Sequence, residues 1–180
     1  DWHVKLTDFG TSKLLDDTDK ANPTARVRTN SFVGTAEYIA PEMLSSHETC
    51  RASDLFALGS IVFQMLVGRP PFQAKTEYLT LEKVKAREFE YDDDANVPDS
   101  AKSLISALFE LTPEERLGAG ADGYAKLKAH DFFAGIDWAN LATTKPPKAS
   151  DAIDDDDAAG GGAGGAGGGG GGGAADGVVG

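Results

Sequence analysis

The segment from Ser53 to Val67 most restricts how this chain can fold. It begins with Ser-Asp, which is typical of a helix N-cap, and it ends before Gly68 and Pro70-Pro71, which stop a helix. Apolar side chains lie on nearly every face of the predicted helix, which indicates a central, buried position. The apolar run is shorter than the about 20 residues that a membrane-spanning helix needs.

Helix signals outweigh strand signals in the rest of residues 1–138. Apolar periodicity predicts helices over Thr76–Arg87, Ser100–Leu111 and Gly123–His130. The stretch Thr112-Pro113-Glu114-Glu115 fits a capping box with proline at the first helical position. Residues His3–Asp8 alternate polar and apolar and predict a short N-terminal strand, and residues 11–35 predict a long loop. We therefore expect a mainly α fold.

The C-terminal part of the chain differs in composition. Apolar density falls from residue 139, four aspartates follow one another at 154–157, and most of the 22 glycines lie beyond residue 159. Such a sequence has few side chains to bury and loses much backbone entropy on ordering. Residues 150–180 are therefore predicted to be a disordered acidic, Gly-rich tail or linker.

Charge and cysteine content exclude several classes of function. The chain carries 17 basic and 29 acidic residues, a net charge of −12. An acidic surface repels phosphate backbones, so we expect neither nucleic-acid binding nor membrane contact through this segment. The single cysteine, Cys50, cannot form an internal disulfide, which suits the cytoplasm.

Six short motifs occur in a fixed order across residues 8–133. They are Asp8-Phe9-Gly10, Gly34-Thr35-Ala36-Glu37-Tyr38 with Ala40-Pro41-Glu42, Ser53 to Gly59, Gly68 to Phe72, Arg116-Leu117-Gly118, and His130-Asp131-Phe132-Phe133. This order resembles the C-terminal lobe of a eukaryotic Ser/Thr protein kinase from the activation segment onward. The details resemble the AGC group, and within it the phosphoinositide-dependent kinases. The resemblance covers residues 3–148 and implies a kinase C-lobe over 1–138, with an AGC-like extension at 139–149.

The resemblance implies roles for the Asp-Phe-Gly motif in binding ATP and Mg²⁺. Asp8 would hold Mg²⁺ through a carboxylate oxygen and act in catalysis. Phe9 would pack beneath the nucleotide and fix the direction of the aspartate. Gly10 would allow the backbone to turn sharply.

Two further residues match the activation segment of the family. Ser31 matches the phosphorylation site, where a phosphate could order residues 11–35 by pairing with basic groups such as nearby Arg26 and Arg28. Thr35 matches the threonine that orients the catalytic aspartate and favours a Ser/Thr acceptor.

Three residues match structural anchors of the family. Glu42 and Arg116 would form a buried ion pair, and Asp54 would accept backbone N–H bonds from the catalytic loop. Phe56 stands where the family commonly has tryptophan, so an indole N–H hydrogen bond would be missing.

The sequence contains no Gly-rich phosphate loop, no β3 lysine and no His-Arg-Asp loop. We expect these residues to be inactive alone and to belong to a longer kinase that acts on protein substrates, chiefly other AGC kinases. A domain outside this chain would recruit it to the plasma membrane. The alternatives are an inactive kinase lobe that docks substrates or regulators as a scaffold, and a different AGC kinase.

Overall fold

The computed structural model describes residues 4–14, 26–28, 35–92, 95–119 and 122–145. Leu6–Leu141 is a compact unit, and residues 4–5 and 142–145 fall into a second. The described helices are α1 (Pro41–Ser45), α2 (Arg51–Val67), α3 (Glu77–Ala86), α4 (Asp99–Leu108) and α5 (Tyr124–Lys128). Short 3₁₀ turns occur at Phe9–Thr11, Ala36–Tyr38 and Asp131–Phe133. The expected mainly α fold is confirmed.

The two described strands are short and antiparallel. Strand β1 (Val27–Arg28) pairs with β2 (Glu48–Thr49), with Val27 opposite Thr49. Strand β1 lies within residues 11–35, which were predicted to be a loop throughout, so part of that stretch is instead paired with the chain that follows α1.

Helix α2 begins earlier than its sequence suggests. Its N-cap is Cys50, and the Ser53 hydroxyl accepts a hydrogen bond from the Cys50 N–H at 3.1 Å. Ser53 is therefore the third helical residue rather than the cap. The helix ends as predicted at Gly68, which has a φ of 84° and donates its N–H to the Gln64 carbonyl at 2.8 Å.

The core forms where α2 packs against α4. A Cβ added to Gly59 would lie 2.9 Å from a ring carbon of Phe109, so only glycine permits this approach. One cluster of buried side chains includes Phe56, Phe63 and Phe72 together with Phe109. Aromatic rings from α2, from the turn after it and from the end of α4 thus share one interior.

Helix α2 is not buried on all sides within the described part of the chain. Met65 is 76% exposed, and Ile61 and Leu66 are also exposed, although the apolar pattern predicts burial all round. Periodicity reports which faces are apolar but not which of them have a partner.

The short N-terminal strand is a wrong prediction over the described residues. Residues 4–8 form no strand, because no described segment pairs with them, and Val4 and Leu6 are exposed. An alternating pattern is compatible with any extended backbone until a neighbouring strand is present.

The stretch after α4 forms turns rather than a helix. The Glu115 N–H reaches the Thr112 carbonyl at 3.0 Å, and the Leu117 N–H bonds the Ala107 carbonyl at 3.0 Å. The second contact ties the chain to α4 and ends the local helical geometry that the capping-box pattern predicts.

The C-terminal extension is described only up to residue 145, and the predicted tail lies outside the described residues. Both remain predictions. Within the described ranges, no helix is long and apolar enough to cross a membrane.

Candidate functional site

Asp8 sits at the start of a tight turn on the surface of the unit. Its backbone is left-handed, with a φ of 60°, and Phe9–Thr11 follow as a 3₁₀ turn. The turn is closed by Ser12, whose N–H and hydroxyl donate to the Phe9 carbonyl at 3.1 and 2.7 Å. Aspartate tolerates this conformation better than most residues, so the motif can direct a carboxylate outward.

The neighbours of Asp8 leave its carboxylate accessible. A Cβ on Gly10 would lie 3.4 Å from Asp8 Oδ1, at ordinary contact distance. Phe9 is 66% exposed, so its ring packs beneath no group among the described residues.

The environment of Asp8 fits a single metal ligand. No hydrogen-bond donor or cation among the described residues contacts its carboxylate, and they contain no group of three or more His, Cys, Asp or Glu able to hold a metal. Mg²⁺ is commonly bound by one or two carboxylates together with substrate phosphates and waters. Asp8 could therefore serve as one ligand of an ion that is shared with a nucleotide.

Thr35 is exposed at the start of the turn Ala36–Tyr38. Its carbonyl accepts the Tyr38 N–H at 3.1 Å, and its side chain makes no capping bond. The Tyr38 hydroxyl hydrogen-bonds the Gln64 Oε1 of α2, a contact between two half-buried side chains that the motif analysis missed. The turn that presents Thr35 is thereby attached to the central helix.

The predicted phosphorylation site, Ser31, lies outside the described residues. Of the two arginines near it, Arg26 is engaged by Glu114 at 3.2 Å and Glu48 at 3.6 Å. Hydrogen bonding to Glu114 raises the pKa of Arg26. Arg28 is exposed, and its side chain has no ion-pair partner within the described ranges.

Glu42 and Arg116, which are 74 residues apart, meet in the interior. Arg116 Nη1 and Nη2 donate to Glu42 Oε1 and Oε2 at 3.0 and 3.1 Å, and the side chains of Arg116 and Glu42 are 0% and 4% exposed. Arg116 also donates to the carbonyls of Ala52 at 2.6 Å and Glu110 at 3.0 Å. The planar guanidinium suits this two-point contact and joins α1, α2 and the end of α4.

Ser53 provides a further hydrogen bond to the buried carboxylate of Glu42. Its hydroxyl donates to Glu42 Oε1 at 2.7 Å and accepts from the Cys50 N–H. Sequence reasoning assigned Ser53 to the helix cap only. No spacing or periodicity in the sequence indicates its contact with Glu42, because that contact depends on how α1 and α2 meet.

Asp54 is exposed in the first turn of α2. No donor among the described residues contacts its carboxylate, and partial desolvation raises the pKa of Asp54. The expected backbone N–H partners are therefore not among the described residues, and this role remains a prediction.

Phe56, which stands where the family commonly has tryptophan, is fully buried. Its ring stacks on Phe72 at 5.6 Å between centroids, and Arg116 lies over the ring at 5.2 Å. The phenyl ring fills its site through aromatic and cation–π contacts that need no indole N–H.

The motif order, the helical unit and the buried ion pair agree with a comparison against known families. The model of the protein kinase domain matches residues 1–133. The chain therefore belongs to the protein kinase domain family.

Individual relatives show which group of protein kinases the chain is similar to. The chain is 44% identical over 149 residues to 3-phosphoinositide-dependent protein kinase 1 of Rattus norvegicus, covering 82% of this chain and 25% of the relative. The Homo sapiens protein of the same name is 43% identical over 149 residues, covering 82% and 26%, and that of Arabidopsis thaliana 39% over 151 residues, covering 82% and 30%. The resemblance to phosphoinositide-dependent kinases is confirmed, and the chain spans about a quarter of the length of the rat and human relatives.

Proposed function

We propose that this chain is the activation segment and C-lobe of a Ser/Thr protein kinase that transfers phosphate from ATP to proteins. The observation that carries the proposal is the Asp8 carboxylate, which lies on a tight turn in a chain of this family and contacts no cation or donor among the described residues. Kinases bind ATP with Mg²⁺, which neutralises charge on the phosphates. Asp8 would orient that ion, and Phe9 and Gly10 would set the direction and turn of the carboxylate.

We propose that Thr35 helps to select the protein hydroxyl that accepts the phosphate. Its hydroxyl is exposed and uncommitted to a cap, which leaves it available to orient a catalytic aspartate. We further propose other AGC kinases as substrates, supported by similarity to the phosphoinositide-dependent kinases.

Ser31 is proposed as the regulatory phosphorylation site of this segment. A phosphoserine adds nearly two negative charges and pairs with arginine. Arg28 is the readier partner, since Arg26 is already engaged by two carboxylates. We place the protein in the cytoplasm, supported by the buried free thiol of Cys50.

The test is the variant Asp8→Asn in the complete protein, assayed for phosphate transfer to a kinase-derived peptide. We expect a loss of at least about a hundredfold, because the Mg²⁺ that would neutralise the phosphates loses its carboxylate ligand. Asp131→Asn is the matched control, because Asp131 is an exposed aspartate in another 3₁₀ turn, and it should keep full activity. Unchanged turnover in Asp8→Asn would refute the role of Asp8 as the Mg²⁺ ligand. Substrate binding without turnover in the parent protein would refute the enzyme proposal and favour the scaffold alternative.

A further inference from the structure

Strand β1 is too short to hold its place through backbone pairing alone. It has two residues, Val27 and Arg28, and it pairs only with β2 in the described structure. Isolated two-stranded ladders are marginal in water even when they are longer. Other contacts must therefore contribute to fixing this strand against the helical unit.

Those contacts are made by charged side chains at the start of β1. Arg26 Nη2 lies 3.2 Å from Oε1 of Glu114, a residue in the turns after α4. Arg26 Nη1 lies 3.6 Å from Oε2 of Glu48, a residue of β2. Lys13 adds a hydrogen bond from Nζ to the Arg28 carbonyl at 2.7 Å. One arginine thus connects the strand to two segments that are distant from it in sequence.

We propose that Arg26, Glu48 and Glu114 form an electrostatic latch that fastens β1 to the helical unit. The latch holds Arg26, which is five residues before Ser31 in the sequence, against the helical unit. It rests on these contacts alone and is independent of the proposed function. The three side chains are 40%, 27% and 46% exposed, so salt and competing anions can reach them.

Partial exposure gives the latch a modest and adjustable strength. Exposed ion pairs are weak individually, and two of them acting on one arginine correspond to a change of about twofold to tenfold in the opening equilibrium. Such a device loosens as ionic strength rises, whereas a buried pair such as Glu42–Arg116 is screened much less.

Hydrogen exchange of the complete protein tests the latch. We expect exchange in peptides covering β1 and β2 to accelerate about twofold to tenfold when NaCl rises from about 0.05 to 0.5 M. Arg26→Ala should exchange at the faster rate already at low salt and lose the salt response. Arg28→Ala is the matched control, with the same charge change two residues further along but no ion pair lost among the described residues, and it should keep the salt response.

Two further comparisons complete the test. Glu48→Gln combined with Glu114→Gln should match Arg26→Ala, and adding Arg26→Ala to that pair should change nothing more. Amides of α4 should keep their parental exchange in every variant. The latch is overturned if Arg26→Ala behaves like the parent or like Arg28→Ala, if the three changes are additive, or if α4 loses protection as well.

Discussion

The variant Glu42→Ala tests how much the buried ion pair stabilises the helical unit. It removes three hydrogen bonds at once, two from Arg116 and one from Ser53. Arg116 would keep only the carbonyls of Ala52 and Glu110, with its charge fully buried. Breaking one side of such a pair costs about 3–5 kcal/mol. Set against a typical stability of about 5–15 kcal/mol, this loss is large enough to unfold the unit in part at physiological temperature.

Urea unfolding of the complete protein, followed by circular dichroism, would measure this loss, and hydrogen exchange would locate it. We expect a lower midpoint and faster exchange in α2 and α4. The matched control is Glu82→Ala, which breaks the exposed Lys85–Glu82 pair and should leave the midpoint unchanged within error.

Two results would refute this reasoning. The first is a Glu42→Ala midpoint equal to that of the parent. The second concerns Glu42→Leu combined with Arg116→Met, which replaces both charges by apolar groups. That double variant should be more stable than Glu42→Ala, because no unpaired charge stays buried. If it were less stable, the loss would come from packing rather than from the orphaned guanidinium.

Three smaller predictions concern residues of helix α2. Ser53→Ala should lower stability by about 1–2 kcal/mol in a urea titration, because the Glu42 carboxylate loses a donor and the cap loses an acceptor. Gly59→Ala should lower it by about 1–3 kcal/mol in the same assay, since the new Cβ meets Phe109 at 2.9 Å, and a rise in stability would contradict this packing. The raised pKa of Asp54 means that the folded chain holds its proton more tightly than the unfolded chain, so this group's contribution to stability falls as pH rises through the raised value. Asp54→Asn should therefore unfold at higher urea than the parent near pH 7 and at the same urea below about pH 3, where both states are protonated.

Residue patterns predicted the helices of this fold well and their environments less well. Helix α3 is bounded by Thr76, as its sequence predicts, and α2 ends at Gly68, because caps and stops are encoded locally. The start of α2 was misplaced because Cys50 is a poor capping residue that depends on the Ser53 side chain. The exposure of Met65 could not be predicted, since it depends on what packs against the helix.

Sequence reasoning likewise found one part of the candidate site and missed another. The resemblance to the kinase family implied the pairing of Glu42 with Arg116 across 74 residues, and the structure places them in contact. The role of Ser53 and the attachment of Arg26 to Glu114 depend on how distant segments meet, and neither leaves a periodic or spacing signal in the sequence. Tertiary contacts between single polar side chains are the part of the site that sequence patterns do not encode.

The long separation of the buried pair has a consequence for biosynthesis. Glu42 leaves the ribosome 74 residues before Arg116, and at translation rates of about 5–20 residues per second that interval is roughly 4–15 s. During it, α1 and α2 carry a carboxylate whose cation has not yet been made, together with aromatic side chains that still lack Phe109. The nascent lobe must therefore remain incompletely folded, and accessible to chaperones, until the second half of its core emerges.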